Sequence, residues 1–165
     1  MIITRRPHKI GLLALALLAG IVTACRAPQA DVELITLQRG ACFGTCPIYS
    51  LSVHGDGRVE YDGLDFVEVT GVQTTTIDAA AVQELGDTMA EAGYFDWQDA
   101  YVNQEITDLP SAVTSITLSD GTTKRIAHYY GDTSAPEALT ELERLIDETA
   151  NTAPWVGQPA IQEGE

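Results

Sequence analysis

Hydrophobic and polar residues alternate in several short stretches of this 165-residue chain, with the period of two that is typical of β-strands. The first stretch covers residues 32–37 and the second covers residues 48–53. A third continues at Val59 and Tyr61, and a fourth, partly exposed strand is expected at residues 74–77. Two more stretches, at residues 116–118 and 126–128, complete a prediction of about six strands.

The positions of the apolar residues also set the length of two hairpin loops. A three-residue loop at residues 55–57 pairs Val53 with Val59 and Leu51 with Tyr61, which places all four on one face of the sheet. A two-residue loop would divide them between opposite faces. By the same argument, a three-residue loop at residues 119–121 places four residues of the second hairpin on one face: Ile116, Leu118, Ile126 and His128. We therefore predict two odd loops, each ending in a glycine with left-handed backbone.

Two longer segments show the spacing of amphipathic helices. Asp78 is expected to cap the first helix, and Gly93 suits the position after its end. Ser134 and Glu137 stand at capping-box spacing before the second helix. The order ββββ-α-ββ-α predicts an α+β fold, in which helices pack on one face of an antiparallel sheet. We expect a single domain at residues 32–150 and a loose C-terminal tail at residues 151–165.

The N-terminal 25 residues have a different pattern. Basic residues precede an uncharged apolar run from Ile10 to Ala24, which is shorter than the roughly 20 residues that span a bilayer. Because small residues then precede Cys25, the segment resembles a bacterial lipoprotein signal peptide with its lipobox. The resemblance implies that residues 1–24 are removed, that Cys25 carries acyl chains such as palmitate, and that residues 25–31 form a short tether. A plain cleaved signal peptide is the alternative.

This resemblance predicts a periplasm-facing lipoprotein of the bacterial cell envelope. Arg26 follows the lipidated position, where an aspartate tends to retain lipoproteins at the inner membrane, so the outer membrane is favoured. Residues 1–24 hold three basic and no acidic residues, which leaves six basic and 24 acidic residues and a net charge of −18 on the rest. Such a charge excludes a non-specific nucleic-acid binder and disfavours a polybasic contact with anionic lipid. The expected partners are the membrane, through the lipid on Cys25, and an envelope protein or cell-wall component.

Lipidation of Cys25 leaves Cys42 and Cys46 as a pair. In an oxidising compartment we expect a disulfide between them, which stabilises the fold by about 2 kcal/mol for so short a loop. A redox-active dithiol is the sharper alternative, but it usually has two residues between its cysteines at a helix start. A zinc site would need further paired ligands, and only His54 and His128 remain after the cysteine pair.

Several segments together are similar to an uncharacterised family of bacterial envelope domains, catalogued as a domain of unknown function. The most specific segment runs from Arg39 to Tyr49 and contains Arg-Gly-x-Cys-Phe-Gly-x-Cys-Pro. The others are residues 55–57, 107–110 with 114–116, and 128–132 with 135–136. The similarity covers about residues 32–147 and implies one domain, with no activity, cofactor or catalytic residue to transfer.

Three residues are candidates for a ligand site: Asp108, His128 and Tyr129. Asp108 is either a functional carboxylate or a turn residue that bonds local amides, and the turn role is favoured. His128 is either a general base or a histidine at the rim of the core, and the core role is the commoner one. No metal site is expected, and the acids of the last helix, including Glu143 and Asp147, are predicted to form its solvated face.

The leading hypothesis is a lipid-anchored, non-enzymatic binding or structural domain that needs no cofactor. It is chosen partly because no nucleophile elbow, phosphate-binding loop or zinc-protease motif occurs in the sequence. The alternative is a small hydrolase-like enzyme that uses His128 and Asp108. A third hypothesis is a thiol oxidoreductase that uses Cys42 and Cys46.

Overall fold

The computed structural model describes residues 30–103 and 105–157. The predicted signal peptide, its cleavage site, Cys25 and Arg26 lie outside these residues, as does the end of the predicted tail from residue 158. In the described part of the chain, no helix is long and apolar enough to cross a membrane.

One mixed sheet of seven strands organises the α+β fold. Its strands are β1 Val32–Arg39, β2 Ile48–His54, β3 Arg58–Asp65, β4 Gly71–Thr76, β5 Ala100–Tyr101, β6 Ser111–Leu118 and β7 Thr123–Tyr129. Their order across the sheet is β4-β3-β2-β1-β6-β7-β5. The helices are α1 Ala79–Glu91, α2 Glu137–Thr149 and α3 Ala153–Val156, with a single 3₁₀ turn at Tyr94–Asp96.

The prediction of a six-stranded, wholly antiparallel sheet is wrong in one element. β5 is a seventh strand, and it runs parallel to β7 through the pairs Ala100–Ala127 and Tyr101–His128. Two residues are too few to produce a period in the sequence, so tertiary pairing alone defines this strand.

Both predicted hairpin registers are confirmed. β2 and β3 pair Val53 with Val59 and Leu51 with Tyr61 across the loop at residues 55–57. In the second hairpin, Leu118 N donates to Thr122 O across residues 119–121. Both loops end in a glycine with left-handed backbone, at φ 90° for Gly57 and φ 88° for Gly121.

The buried side chains of the strands join those of α1 and α2 in one hydrophobic core. Asp78 caps α1 as predicted, because its carboxylate accepts from Ala80 N at 2.9 Å. The predicted capping box of α2 is absent. Ser134 Oγ donates instead to Asp132 Oδ1 at 2.6 Å, and the helix begins only at Glu137.

The start of the predicted loose tail is ordered as α3, which returns the chain to the core. Trp155 packs on Tyr61 with ring centroids 5.2 Å apart. The carbonyl groups of Trp155 and Val156 accept from Val69 N and Glu68 N. The domain therefore continues past residue 150 to at least Gly157.

Candidate functional site

A cavity of about 240 Å³ opens at the end of the sheet where β1 finishes and β2 and β6 begin. Its walls include Pro47, Pro110 and Val156, and its polar lining includes Arg39, Tyr49, Tyr130 and Asp147. The Cys42–Cys46 loop connects β1 to β2 at its mouth, where Cys46 itself lines the cavity. The antiparallel register of the sheet brings these three strand ends together.

Arg39 is the cation of this site, and its side chain is 18% exposed. Its Nη2 donates to Asp147 Oδ2 at 2.9 Å, and its Nη1 donates to Glu143 Oε2 at 3.3 Å and to the Tyr130 hydroxyl. Burial alone lowers the pKa of Arg39, but the negative charges that Tyr130 and Asp147 can carry outweigh it, so the pKa lies above its usual value. The guanidinium is therefore permanently charged and fixed by several acceptors.

Glu143 lies beneath Arg39 and is completely buried on the inner face of α2. Its carboxylate accepts from the Tyr130 hydroxyl and from Arg39, and its Oε1 lies 2.8 Å from His128 Nδ1. His128 also meets the Tyr130 ring edge-on at 4.7 Å between centroids. These contacts compensate the cost of burying the Glu143 charge.

Asp147, one turn further along α2, connects the network to β2 and to the C-terminal segment. Its Oδ1 accepts from the Tyr49 hydroxyl at 2.7 Å and from Thr152 Oγ1 at 3.0 Å. Burial chiefly raises the pKa of Tyr49, and the negative charge of Asp147 raises it further. Burial likewise raises the pKa of Tyr130, although Arg39 opposes that shift. Both phenols are therefore neutral hydrogen-bonding groups at physiological pH.

The predicted Cys42–Cys46 disulfide is present, with 5.8 Å between the two Cα atoms. Its loop presents Phe43 to solvent with 87% of the residue exposed. Phe43 N donates to Asp108 O at 3.0 Å, which joins the loop to the connector between β5 and β6. The disulfide thus braces an exposed aromatic residue beside the cavity.

The structure places Asp108 and Tyr129 in the lining of one cavity with Phe43, and it pairs His128 with Glu143 instead. Asp108 is exposed, has a left-handed backbone with φ 73°, and accepts from Thr107 Oγ1 at 3.2 Å. Tyr129 is half-buried, and its hydroxyl accepts from Leu109 N at 3.0 Å. His128 is 4% exposed and pairs with Glu143 rather than Asp108. Asp108 and Tyr129 therefore shape the connector beside Phe43, whereas His128 belongs to the buried network.

Sequence reasoning missed the roles of Arg39, Tyr49, Tyr130, Glu143 and Asp147. The prediction that Glu143 lies on the solvated face of its helix, α2, is wrong, since Glu143 is completely buried. A signal was present, because Glu143 follows Leu139 by four residues and precedes Ile146 by three, which places it within the apolar stripe. An acid at such a position needs a buried partner, although its spacing alone does not identify Arg39.

The described residues, 30–103 and 105–157, contain no group of three or more His, Cys, Asp or Glu side chains that could hold a metal ion.

A family model described as "Domain of unknown function (DUF6438)" matches residues 33–150. No curated protein matches the chain.

Proposed function

The chain belongs to the DUF6438 family, whose description assigns no activity, and from this premise we propose that it is a non-enzymatic binding domain, anchored by lipid in the bacterial cell envelope. The binding surface consists of the Cys42–Cys46 loop and the adjoining connector at residues 107–110. Its partner is an envelope protein or a cell-wall component.

The observation that supports this proposal is the exposure of Phe43 on a loop that is already fixed. The disulfide closes the loop, and the bond from Phe43 N to Asp108 O holds it against the connector. The connector is itself held by the bond from Leu109 N to the Tyr129 hydroxyl. An aromatic side chain on a pre-ordered loop loses little conformational entropy on association, which is the property of an interface anchor.

The arrangement of the titratable groups favours binding over the hydrolase alternative. A general base needs access to the substrate proton, but His128 is buried and its Nδ1 is occupied by Glu143. The thiol oxidoreductase alternative is disfavoured by the position of Cys42 and Cys46, which lie in a loop between two strands and not at a helix start, where a helix N-terminus would lower the pKa of a thiol.

The direction of β1 is compatible with a tether that precedes it. The predicted tether ends at residue 31, and β1 then runs for eight residues to Arg39. Eight residues of strand span about 26 Å, so the Phe43 loop lies at the end of the domain opposite the tether. A partner in the envelope would then reach Phe43 without competition from the membrane that holds Cys25.

Intact-mass analysis of the chain extracted from native membranes tests the anchor. We expect an acylated mass that begins at Cys25, with two thiols alkylated only after reduction. The Cys25→Ser variant should lose the acyl mass and leave the membrane fraction. A wild-type chain without acyl mass would contradict the anchor, and alkylation of two thiols without reduction would contradict the braced loop.

Photo-cross-linking tests the binding surface. A photoreactive phenylalanine analogue at position 43 should give a discrete adduct with an envelope protein or with isolated cell walls. The control carries the same analogue at Thr122, an exposed residue in the hairpin at the opposite end of β6. Unlabelled wild-type chain should compete for the adduct, whereas Phe43→Ala should not. Equal labelling from both positions, or no competition, would contradict a specific surface.

A further inference from the structure

β4 forms one edge of the sheet, and its outer side is open. Within residues 30–103 and 105–157 it pairs only with β3. Five of its six residues are exposed, and none of them forms a backbone hydrogen bond to a further segment of the described chain. A row of peptide groups on β4 therefore has no backbone partner among the described residues.

The register shows which peptide groups these are. Ile77 N donates to Gly57 O at 2.9 Å, which continues the β3–β4 register by one pair beyond Arg58–Thr76. Hydrogen-bonded and non-bonded pairs alternate in an antiparallel ladder. The N–H groups of Gln73 and Thr75 therefore point towards β3, whereas those of Val72, Thr74 and Thr76 point outwards.

The protections that usually blunt such an edge are missing from β4. Natural edge strands carry lysine, proline, a bulge or very few residues, and these features prevent pairing with another chain. Residues 71–77 contain no charged residue and no proline, and their register with β3 is uninterrupted. The opposite edge is different, because β5 has two residues and β7 carries Lys124 and Arg125.

The charges around β4 indicate what kind of strand could join it. From Asp62 to Asp78 the sequence has four carboxylates and no basic residue. Asp65 and Glu68 are exposed before the strand, and Asp78 is exposed after it. Arg58, opposite Thr76, is already paired with Glu60. A cationic strand would therefore be attracted at both ends of β4.

We propose that β4 is a strand-addition site for an extended, lysine- or arginine-bearing segment of a partner protein. Main-chain hydrogen bonds to Val72, Thr74 and Thr76 provide the pairing, and the carboxylates at the strand ends select a cationic sequence. A second copy of this chain fits less well, because antiparallel pairing would bring the Asp65 end of one copy beside the Asp78 end of the other. The site is separate from the Phe43 loop and does not depend on its function.

Residue-resolved amide hydrogen exchange on the full chain tests the proposal. The probe is a synthetic peptide of alternating threonine and valine with two lysines at each end, and the control peptide has glutamates in place of the lysines. The lysine peptide should slow exchange at least tenfold at Val72, Thr74 and Thr76, with little change at Gln73 and Thr75. The glutamate peptide should bind at least tenfold more weakly at low ionic strength.

Two variants at one position isolate the backbone contribution. Thr74→Pro removes an outward N–H without removing a hydrogen bond to β3 and should abolish protection, whereas Thr74→Val keeps that N–H and should bind like the wild type. Protection without alternation, equal binding of both peptides, or binding that survives in folded Thr74→Pro would overturn the proposal. Slow exchange at Val72, Thr74 and Thr76 without peptide would assign the edge to a second copy if it rises with protein concentration, or to residues 158–165 if truncation removes it, and either result would also overturn the proposal. The exchange pattern of the wild-type chain decides the question even if Thr74→Pro does not fold.

Discussion

At the scale of single residues, the environment of Glu143 is unusual because an acidic side chain is shielded from solvent there. Its carboxylate is completely buried, and it shares the guanidinium of Arg39 with Asp147. The Tyr130 hydroxyl and His128 Nδ1 supply its other contacts. Its burial is stable because each part of the carboxylate has a partner.

Removal of the Glu143 carboxylate should therefore destabilise the fold. We expect Glu143→Ala to lower the free energy of unfolding by about 3–5 kcal/mol, since Arg39 and Tyr130 lose their shared acceptor. Urea denaturation measures this change. The control is Glu141→Gln on the exposed face of the same helix, which should have little effect because Glu141 and its partner Arg144 are both exposed. Similar losses in both variants would contradict the role of the buried network.

The buried phenols predict a fall in stability at high pH. Burial raises the pKa of Tyr94 to about 12, and it also raises the pKa values of Tyr49 and Tyr130. In the unfolded chain these phenols ionise near pH 10, so stability present below pH 10 is lost as the pH rises towards 12. The free energy of unfolding should fall by up to about 1.4 kcal/mol per pH unit for each phenol.

Tyr94→Phe provides a single-site check of this pH dependence. The variant should show a shallower decline above pH 10, because one group with a raised pKa is removed. Absorbance at 295 nm should follow ionisation of the remaining buried tyrosines only as the native chain unfolds. A full tyrosine titration near pH 10 in the folded chain would contradict the prediction.

At the scale of elements, the hairpin loops at residues 55–57 and 119–121 have similar backbone conformations at their glycines but different surroundings. Gly57 and Gly121 both end three-residue loops and have nearly equal positive φ angles. A Cβ atom on Gly57 would lie 2.3 Å from Ile77 O, whereas one on Gly121 would meet no atom within 4 Å. At its glycine, the first loop is packed against the segment that leads into α1, whereas the glycine of the second loop faces open space.

The two glycines form a matched pair for substitution. Gly121→Ala should cost about 1–2 kcal/mol, the price of a left-handed backbone with a side chain. Gly57→Ala should cost about 3 kcal/mol or more, because its Cβ also displaces the segment that leads into α1. Thermal and urea denaturation of both variants would measure the difference. Equal losses in the free energy of unfolding would show that the segment after Thr76 moves away from the added Cβ atom at little cost.

The sequence predicts most elements because their signals are local. Both hairpin registers follow from apolar residues two positions apart, and the Asp78 cap follows from a single side chain at a helix start. β5 and α3 are too short to show a period, and Ser134 bonds to Asp132 instead of capping α2. The cavity could not be predicted, since Arg39 meets Glu143 and Asp147 only through long-range packing of β1 against α2.

At the scale of the whole molecule, the disulfide closes only a short loop, but that loop presents the exposed side chain of Phe43. Cys42→Ser combined with Cys46→Ser should lower the free energy of unfolding by about 2 kcal/mol, because a short loop loses its closure. The same double variant should remain folded, but it should give a lower yield of cross-linked adduct from position 43 than the wild-type loop does. Thr45→Ala, within the same loop but outside the bridge, is the control. Undiminished cross-linking would contradict a braced binding loop.

The central position of β1 has a mechanical consequence for the proposed attachment of the domain at its N-terminus. β1 pairs with β2 on one side and with β6 on the other, and Asp31 O accepts from Ser119 N just before the strand begins. A pull on the proposed tether would load β1 along its own axis, while its hydrogen bonds lie perpendicular to that axis. Both ladders would share the force in shear rather than open one bond at a time. The domain would thus resist tension on the proposed tether through the strand that leads from that tether to the exposed loop.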